Sequence, residues 1–142
     1  MTETLINVLL VEDDKVDIMN VKRAFKKNKI ENPLFVAENG VEALELLRGQ
    51  NPIQKIVPLP RIILLDLNMP KMGGLEFLKI LRNDENLRNI SVFVMTTSND
   101  DKDKVEAYNL NVAGYILKPL SMANFINAVS VLNNYWRLNV YP

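Results

Sequence analysis

Ile-Ile-Leu-Leu-Asp-Leu-Asn-Met-Pro-Lys-Met-Gly-Gly, residues 62–74, is the stretch on which the fold is decided. Its first four residues are apolar on both alternating parities, so it reads as a strand covered on both faces and not as one with a wet side. The run stops at an acid, Asp66. The chain then turns through Met69-Pro70 and Gly73-Gly74 before Leu75, Leu78 and Leu81 mark one face of an amphipathic helix. A buried strand, a polar residue at its carboxyl end, a turn and a helix make one unit of a parallel sheet.

The same unit recurs on either side. Upstream, the apolar run 6–11 ends in Glu12-Asp13-Asp14, and Ile18, Val21, Ala24 and Phe25 follow at helical spacing, with Asp14 placed to cap that helix. A weaker run at 34–37 leads through Asn39-Gly40 to Val41, Ala43, Leu44 and Leu47. Downstream, 92–95 ends in Thr96-Thr97-Ser98 and precedes a polar helix over 100–110. The run 114–117 ends at Lys118-Pro119, and Ser121 can cap a last helix reaching about residue 135. Five strands alternating with helices predict an α/β, doubly wound, all-parallel sheet, because parallel neighbours need crossovers and the helices then cover both faces. Ligands of such sheets collect at the carboxyl ends of the strands. One connection is long: 49–61 carries Pro52, Pro58 and Pro60 without helical period. It reads either as a tolerated surface insertion or as a loop that meets a partner.

Composition bounds the chemistry. The 142 residues are 48% hydrophobic and 24% charged, the proportions of one domain, 1–142, with a real core. Seventeen basic residues balance seventeen acidic ones, which disfavours binding to nucleic acid or an anionic membrane. With no cysteine and no histidine there is no disulfide, thiolate nucleophile, zinc–thiolate site or imidazole base. No basic segment followed by an apolar stretch opens the chain, and no run is long enough to span a membrane, so the expected location is the cytoplasm.

The predicted topology brings Glu12, Asp13, Asp66, Thr96 and Lys118 to one edge of the sheet. Three crowded carboxylates repel one another unless a cation intervenes. Oxygen ligands without His or Cys call for a hard cation, and the small number of protein groups favours Mg²⁺, which keeps waters and accepts a phosphate as co-ligand. Lys118 adds a positive charge and Thr96 a hydroxyl, which together describe a pocket for a phosphoryl group. Each residue alone has a duller use. Acids after strands cap helices, Asp66 can open a turn, Thr96 can cap a helix and Lys118 can be a solvated charge.

Four stretches carry a resemblance: Val-Glu-Asp-Asp (11–14), Leu-Leu-Asp-Leu-Asn-Met-Pro-Lys-Met-Gly-Gly (64–74), Met-Thr-Thr-Ser (95–98) and Gly-Tyr-Ile-Leu-Lys-Pro-Leu (114–120). In this order they resemble the motifs of the receiver domain of two-component response regulators, over essentially the whole chain. The resemblance implies the flavodoxin-like receiver fold, strand order 2-1-3-4-5, with Asp66 as phosphoacceptor from a phosphohistidine of a sensor histidine kinase. It implies Mg²⁺ held by the side chains of Asp13 and Asp66 and the backbone of Asn68, with Glu12 acting through a metal-bound water. Lys118 would pair with Asp66 or its phosphoryl oxygens, Thr96 would hydrogen-bond the phosphoryl group, and Tyr115 would change rotamer as Thr96 moves. Asn68 and Ser98 stand where dephosphorylation is tuned, and the Lys118–Pro119 bond would be cis. Two departures stand out: Glu12 where Asp is commoner, and Gly73 in place of the usual Asp of the turn.

The output of such a chain would be a protein contact. Phe125, Val129, Leu132 and Trp136 share a stripe on the last helix, but Met122, Ile126, Val131 and Tyr135 are apolar too, and surplus apolar surface points to an interface. The extension from about residue 136 and the 49–61 loop resemble those of phytochrome-associated single-domain regulators of cyanobacteria. That resemblance implies a homodimer through the fourth helix, fifth strand and fifth helix, and a bilin-binding phytochrome kinase as donor. Two rival functions share the architecture. A phosphatase or phosphotransferase with an Asp nucleophile wants a second acid where Asn68 stands, and a flavin-binding electron carrier wants a Ser/Thr/Gly-rich phosphate loop where Glu12-Asp13-Asp14 stands.

Overall fold

The computed structural model describes residues 5–49, 54–67, 69, 71–97 and 110–118. Five strands, β1 (Val8–Val11), β2 (Leu34–Ala37), β3 (Ile62–Asp66), β4 (Ser91–Thr97) and β5 (Gly114–Lys118), form one all-parallel sheet in the order β2-β1-β3-β4-β5. Three helices are described: α1 (Lys15–Lys27), α2 (Gly40–Arg48) and α3 (Gly74–Asn83). The helices expected over 100–110 and from 121 onward lie outside the described residues, apart from Leu110, which sits in a turn.

Alternation along the strands builds a core on each face. Val8, Leu10, Ile62, Leu64, Phe93 and Met95 pack with Val21, Ala24 and Phe25 of α1. Leu9, Val11, Ile63, Leu65, Val92 and Val94 pack with α2 and α3. β1 and β3 are buried along their whole length, as their apolar runs require. β2 is not. It lies at the sheet edge, and Phe35 is exposed there, so the reading of every run as covered on both faces fails at this strand.

Strand ends shift from the sequence pattern for identifiable reasons. β1 starts at Val8 and not Ile6: the Ile6 carbonyl accepts from the Asn32 side chain, and the Asn7 carbonyl accepts from the Arg61 amide. The described part of the proline-rich connection, 54–61, is packed against the body. Ile56 is 4% exposed within the α2–α3 core, its amide donates to the Leu46 carbonyl, and the Asn7 side chain donates to the carbonyl of Pro58, which follows a cis peptide bond from Val57. Val57, by contrast, is 77% exposed.

Arg82, in the last turn of α3, ties three chain segments together. Its guanidinium donates to the carbonyls of Leu110 (2.6 Å), Asn111 (3.0 Å), Arg88 (2.9 Å) and Ile90 (2.9 Å), joining α3 to the 84–90 turn and to the entry of β5. Partial burial lowers its pKa from the ordinary value, and it remains a cation. Close by, Asp84 is held below the usual carboxylate range by the Asn86 amide and by Arg48 at 3.0 Å. Arg82→Met keeps most of the apolar stem and removes every donor, leaving four carbonyls without their partner. We expect it to cost ~2–4 kcal/mol in a urea titration, since hydrogen bonds to charged groups are the strong ones. A change below ~1 kcal/mol would show that water replaces the guanidinium freely.

Candidate acidic phosphoryl site

The register of the two central strands assembles the acids. Val11 pairs with Leu65, so Glu12, one residue past β1, and Asp66, the last residue of β3, come side by side at the carboxyl edge. Glu12, Asp13 and Asp66 each offer a carboxylate oxygen, and these atoms lie within 4.8 Å of one another. Glu12 is fully buried, Asp66 is 4% exposed and Asp13 is open to solvent. The cluster therefore has two sunken members and one at the surface.

The Glu12-Asp13-Asp14 stretch caps the helix and also contributes two members of the acid trio. Asp14 caps α1, its Oδ1 accepting from the amides of Val16 (2.8 Å) and Asp17 (3.1 Å). Glu12 Oε2 accepts from the amides of Asp13 (3.1 Å) and Asp14 (3.3 Å), so the extra methylene of Glu lets the side chain fold back over its own turn while it stays in the trio. The capping carboxylate has a further consequence. It occupies the helix N-terminus that a flavin phosphate would need, which weighs against the electron-carrier alternative.

Oxygen donors alone, with no His or Cys in the chain, fit a hard divalent cation, and the crowding of two buried carboxylates with a third supplies the electrostatic reason for one. Asn68, Ser98 and Pro119, expected respectively as a backbone ligand, a tuning residue and a cis proline, lie outside the described residues. For Thr96 and Lys118 the structure describes the backbone. Thr96 lies near the carboxyl end of β4 and Lys118 closes β5, with Thr97 its register partner. Tyr115 is half-buried on β5 against the α2–α3 core.

The start of α3 abuts the backbone of Asp66 and Leu67, and this approach is the feature that sequence reasoning missed. The Gly74 amide donates to the Leu67 carbonyl, and a Cβ on Gly74 would strike the carbonyl oxygen of Asp66 and come within 2.6 Å of Leu67 Cα. The Gly73-Gly74 pair signals a turn in the sequence, but nothing local reveals which glycine faces backbone. Gly73 is the N-cap of α3, with φ −69° and no side-chain hydrogen bond, and a Cβ there would meet nothing closer than 3.8 Å. Gly73→Ser is expected to stabilise the fold by ~0.5 kcal/mol, adding a cap and reducing unfolded-chain freedom. A lowered urea midpoint would contradict this.

Comparison with known proteins bears on these groups. A family model described as the response regulator receiver domain matches residues 8–130. Response regulator Rcp1 of Synechocystis sp. is 33% identical over 129 residues, covering 91% of this chain and 87% of that protein. The probable methanogenesis regulatory protein FilR2 of Methanothrix harundinacea is 37% identical over 129 residues, covering 91% and 82%. Among solved structures, the phosphorylated cyanobacterial phytochrome response regulator RcpA matches with TM-score 0.87 and 30% identity over 97% of this chain and 98% of RcpA. The Mn²⁺-bound form of response regulator Rcp1 matches with TM-score 0.83 and 33% identity over 94% and 96%. A parallel sheet ordered 2-1-3-4-5, an acid trio at its carboxyl edge and a family match over most of the length agree, and the chain belongs to the response regulator receiver domain family.

Proposed function

We propose that this chain is a phosphorylation switch and not an enzyme acting on a separate substrate: Asp66 accepts a phosphoryl group from a phosphohistidine of a sensor histidine kinase, with Mg²⁺ as cofactor, and the product signals through protein contacts. The observation that carries the reading is the gathering of Glu12, Asp13 and Asp66 within 4.8 Å at the carboxyl edge of β1 and β3. The absence of histidine from the chain supports an external donor.

In the transfer, an Asp66 carboxylate oxygen attacks phosphorus in line, the P–N bond to the donor imidazole breaks, and its electron pair stays on the ring nitrogen, which takes up a proton. Such chemistry needs positioning and charge neutralisation more than a base. Asp13 and Asp66 by their side chains, Asn68 by its carbonyl and Glu12 through a water would hold Mg²⁺, which when bound supplies neutralisation of the carboxylates and the incoming oxygens. Lys118 pairs with Asp66 or the phosphoryl oxygens and Thr96 hydrogen-bonds the new group. Tyr115 then follows Thr96 inward, a two-state change biased by local charge, and Asn68 and Ser98 bear on how long the phosphoryl group lasts. Phosphorylation of RcpA and Mn²⁺ binding by Rcp1 support the same chemistry here. That RcpA is a phytochrome response regulator supports a phytochrome kinase as donor; a bilin-binding kinase, a cytoplasmic setting and a homodimer through the fourth helix, β5 and the fifth helix as the signalling form complete the proposal. Among the described residues no helix is long and apolar enough to cross a membrane.

Incubation with a small acyl-phosphate donor tests this directly. The expected result is one hydroxylamine-labile phosphoryl group on the peptide holding Asp66, formed with Mg²⁺ and lost when the metal is chelated. Labelling elsewhere, or labelling indifferent to chelation, overturns the reading. For the dimer, sedimentation at micromolar concentration is decisive, and a monomer in both phosphorylation states refutes it.

A further inference from the structure

β2 stands at one edge of the sheet, and the parity of its backbone decides what that edge offers. The Val8 amide donates to the Pro33 carbonyl and the Glu12 amide to the Ala37 carbonyl, so the odd-numbered residues of this stretch turn their peptide groups to β1. Leu34 and Val36 turn theirs outward, and among the described residues these donors and acceptors have no partner. An open edge is ordinarily blunted by a charge, a proline or a bulge. Here Leu-Phe-Val-Ala is uncharged, it matches β1 residue for residue without a bulge, and the missing N–H of Pro33 belongs to the parity that faces β1. Only the shortness of the strand protects it. Leu34 and Val36 pack towards the α1 core, Ala37 lies in the α2–α3 core, and Phe35 stands on that second face, 36% exposed. A lone exposed Phe is ordinary. An edge that complements itself around one is not.

Laid antiparallel about a two-fold axis through Phe35, two copies of β2 match at every position. Leu34 of one copy faces Val36 of the other as a hydrogen-bonded pair, exchanging both N–H···O bonds, and these are the groups left open in the single chain. Phe35 faces its own counterpart in the closer, non-hydrogen-bonded spacing, with Cα atoms ~4.5 Å apart, where aromatic side chains stabilise a strand pair. Pro33 meets Ala37 in another non-hydrogen-bonded pair, so its lack of a donor costs nothing. Beyond the strand Asn32 meets Glu38, and no two acids oppose. We propose that β2 is a docking edge for a second copy of this chain, joining two five-stranded sheets into one by antiparallel β2–β2 pairing. A second copy is favoured over a foreign strand because it carries the matching sequence by symmetry. The contact is small, at the low end of protein interfaces, so the association is transient and concentration-dependent. It uses neither β5, at the opposite sheet edge, nor the carboxyl edge that holds the acid trio, and the two-fold axis leaves both acid sites open at opposite ends of the joined sheet.

Amide hydrogen exchange, read residue by residue by NMR, tests the register. As protein concentration rises from about 10 µM to about 1 mM, the Leu34 and Val36 amides are expected to exchange at least ~3-fold more slowly, the fall in free monomer when Kd is about 0.3 mM or tighter. The Phe35 and Ala37 amides face β1 and should not change. Phe35→Lys sets two like charges on the axis and Val36→Pro removes an outward donor. Each variant, once circular dichroism has verified its fold, should lose the concentration dependence. A dimer through β5 would survive in both, so sedimentation that changes with Phe35→Lys is assigned to the β2 edge. Exchange at Leu34 and Val36 that ignores concentration overturns the proposal. If it is fast throughout, the edge stays bare, and if slow throughout, another segment of the same chain covers it. Protection that persists in either folded variant also overturns it, since a different surface or register then carries the contact.

Discussion

A chain carrying Asp66→Asn is expected to take up no phosphoryl group from an acyl-phosphate donor. The loss should be complete and not graded, because the carboxylate oxygen is the nucleophile and an amide in its place forms no acyl phosphate. A second effect runs in the opposite direction. Wild type holds three carboxylates within 4.8 Å of one another, two of them buried, and removing one charge at such a separation relieves on the order of 3 kcal/mol of repulsion with each ionised neighbour at an effective dielectric near 20. In chelator, Asp66→Asn should therefore unfold at higher urea than wild type. With saturating Mg²⁺ the difference should shrink or reverse, since only a protein that binds the ion tightly gains stability from it. Undiminished labelling sinks the phosphoacceptor assignment, and a variant less stable than wild type in chelator sinks the account of the crowded acids.

Gly74→Ala is expected to be the most damaging single methyl group that can be added near the site. Alanine is the better helix former by ~1 kcal/mol, so local propensity alone predicts a gain. Tertiary contact decides otherwise. The new Cβ would strike the Asp66 carbonyl oxygen and sit 2.6 Å from Leu67 Cα and 3.0 Å from the Asp66 carbonyl carbon, all backbone atoms that cannot rotate away. Either α3 or the end of β3 must shift, at ~1–3 kcal/mol or more. Because the atoms displaced belong to Asp66, acyl-phosphate labelling should slow as well, by up to ~100-fold if the carboxylate moves by about an ångström. Gly73→Ala, one residue earlier with nothing within 3.8 Å, is the control and should label normally. Gly74→Ala that melts and labels like wild type would show that the two elements separate without cost.

The sheet was legible because its signals are local. Apolar runs on both parities marked β1, β3 and the middle of β4, and each ended on a polar residue near the carboxyl edge. Asp14 was legible as the cap of α1 for the same reason, since it precedes the first helical turn and its carboxylate reaches only two and three residues on. Less readable was the proline-rich connection: Ile56 is a core residue, though no period around it says so. Arg82 was missed altogether, because an Arg near a helix C-terminus is ordinary and its four acceptors come from two other stretches of chain.

From its residues alone, this protein declared which groups leave the strands at the carboxyl edge and which chemistries are closed to it for want of histidine and cysteine. Folding decided the rest: that Glu12 and Asp66 emerge side by side because Val11 pairs with Leu65, that Glu12 bends back onto its own turn, and that Gly74 abuts the backbone of Asp66. Periodicity and capping are written by near neighbours in the chain. Register and close approach are settled by packing between segments far apart in it, which no local pattern specifies.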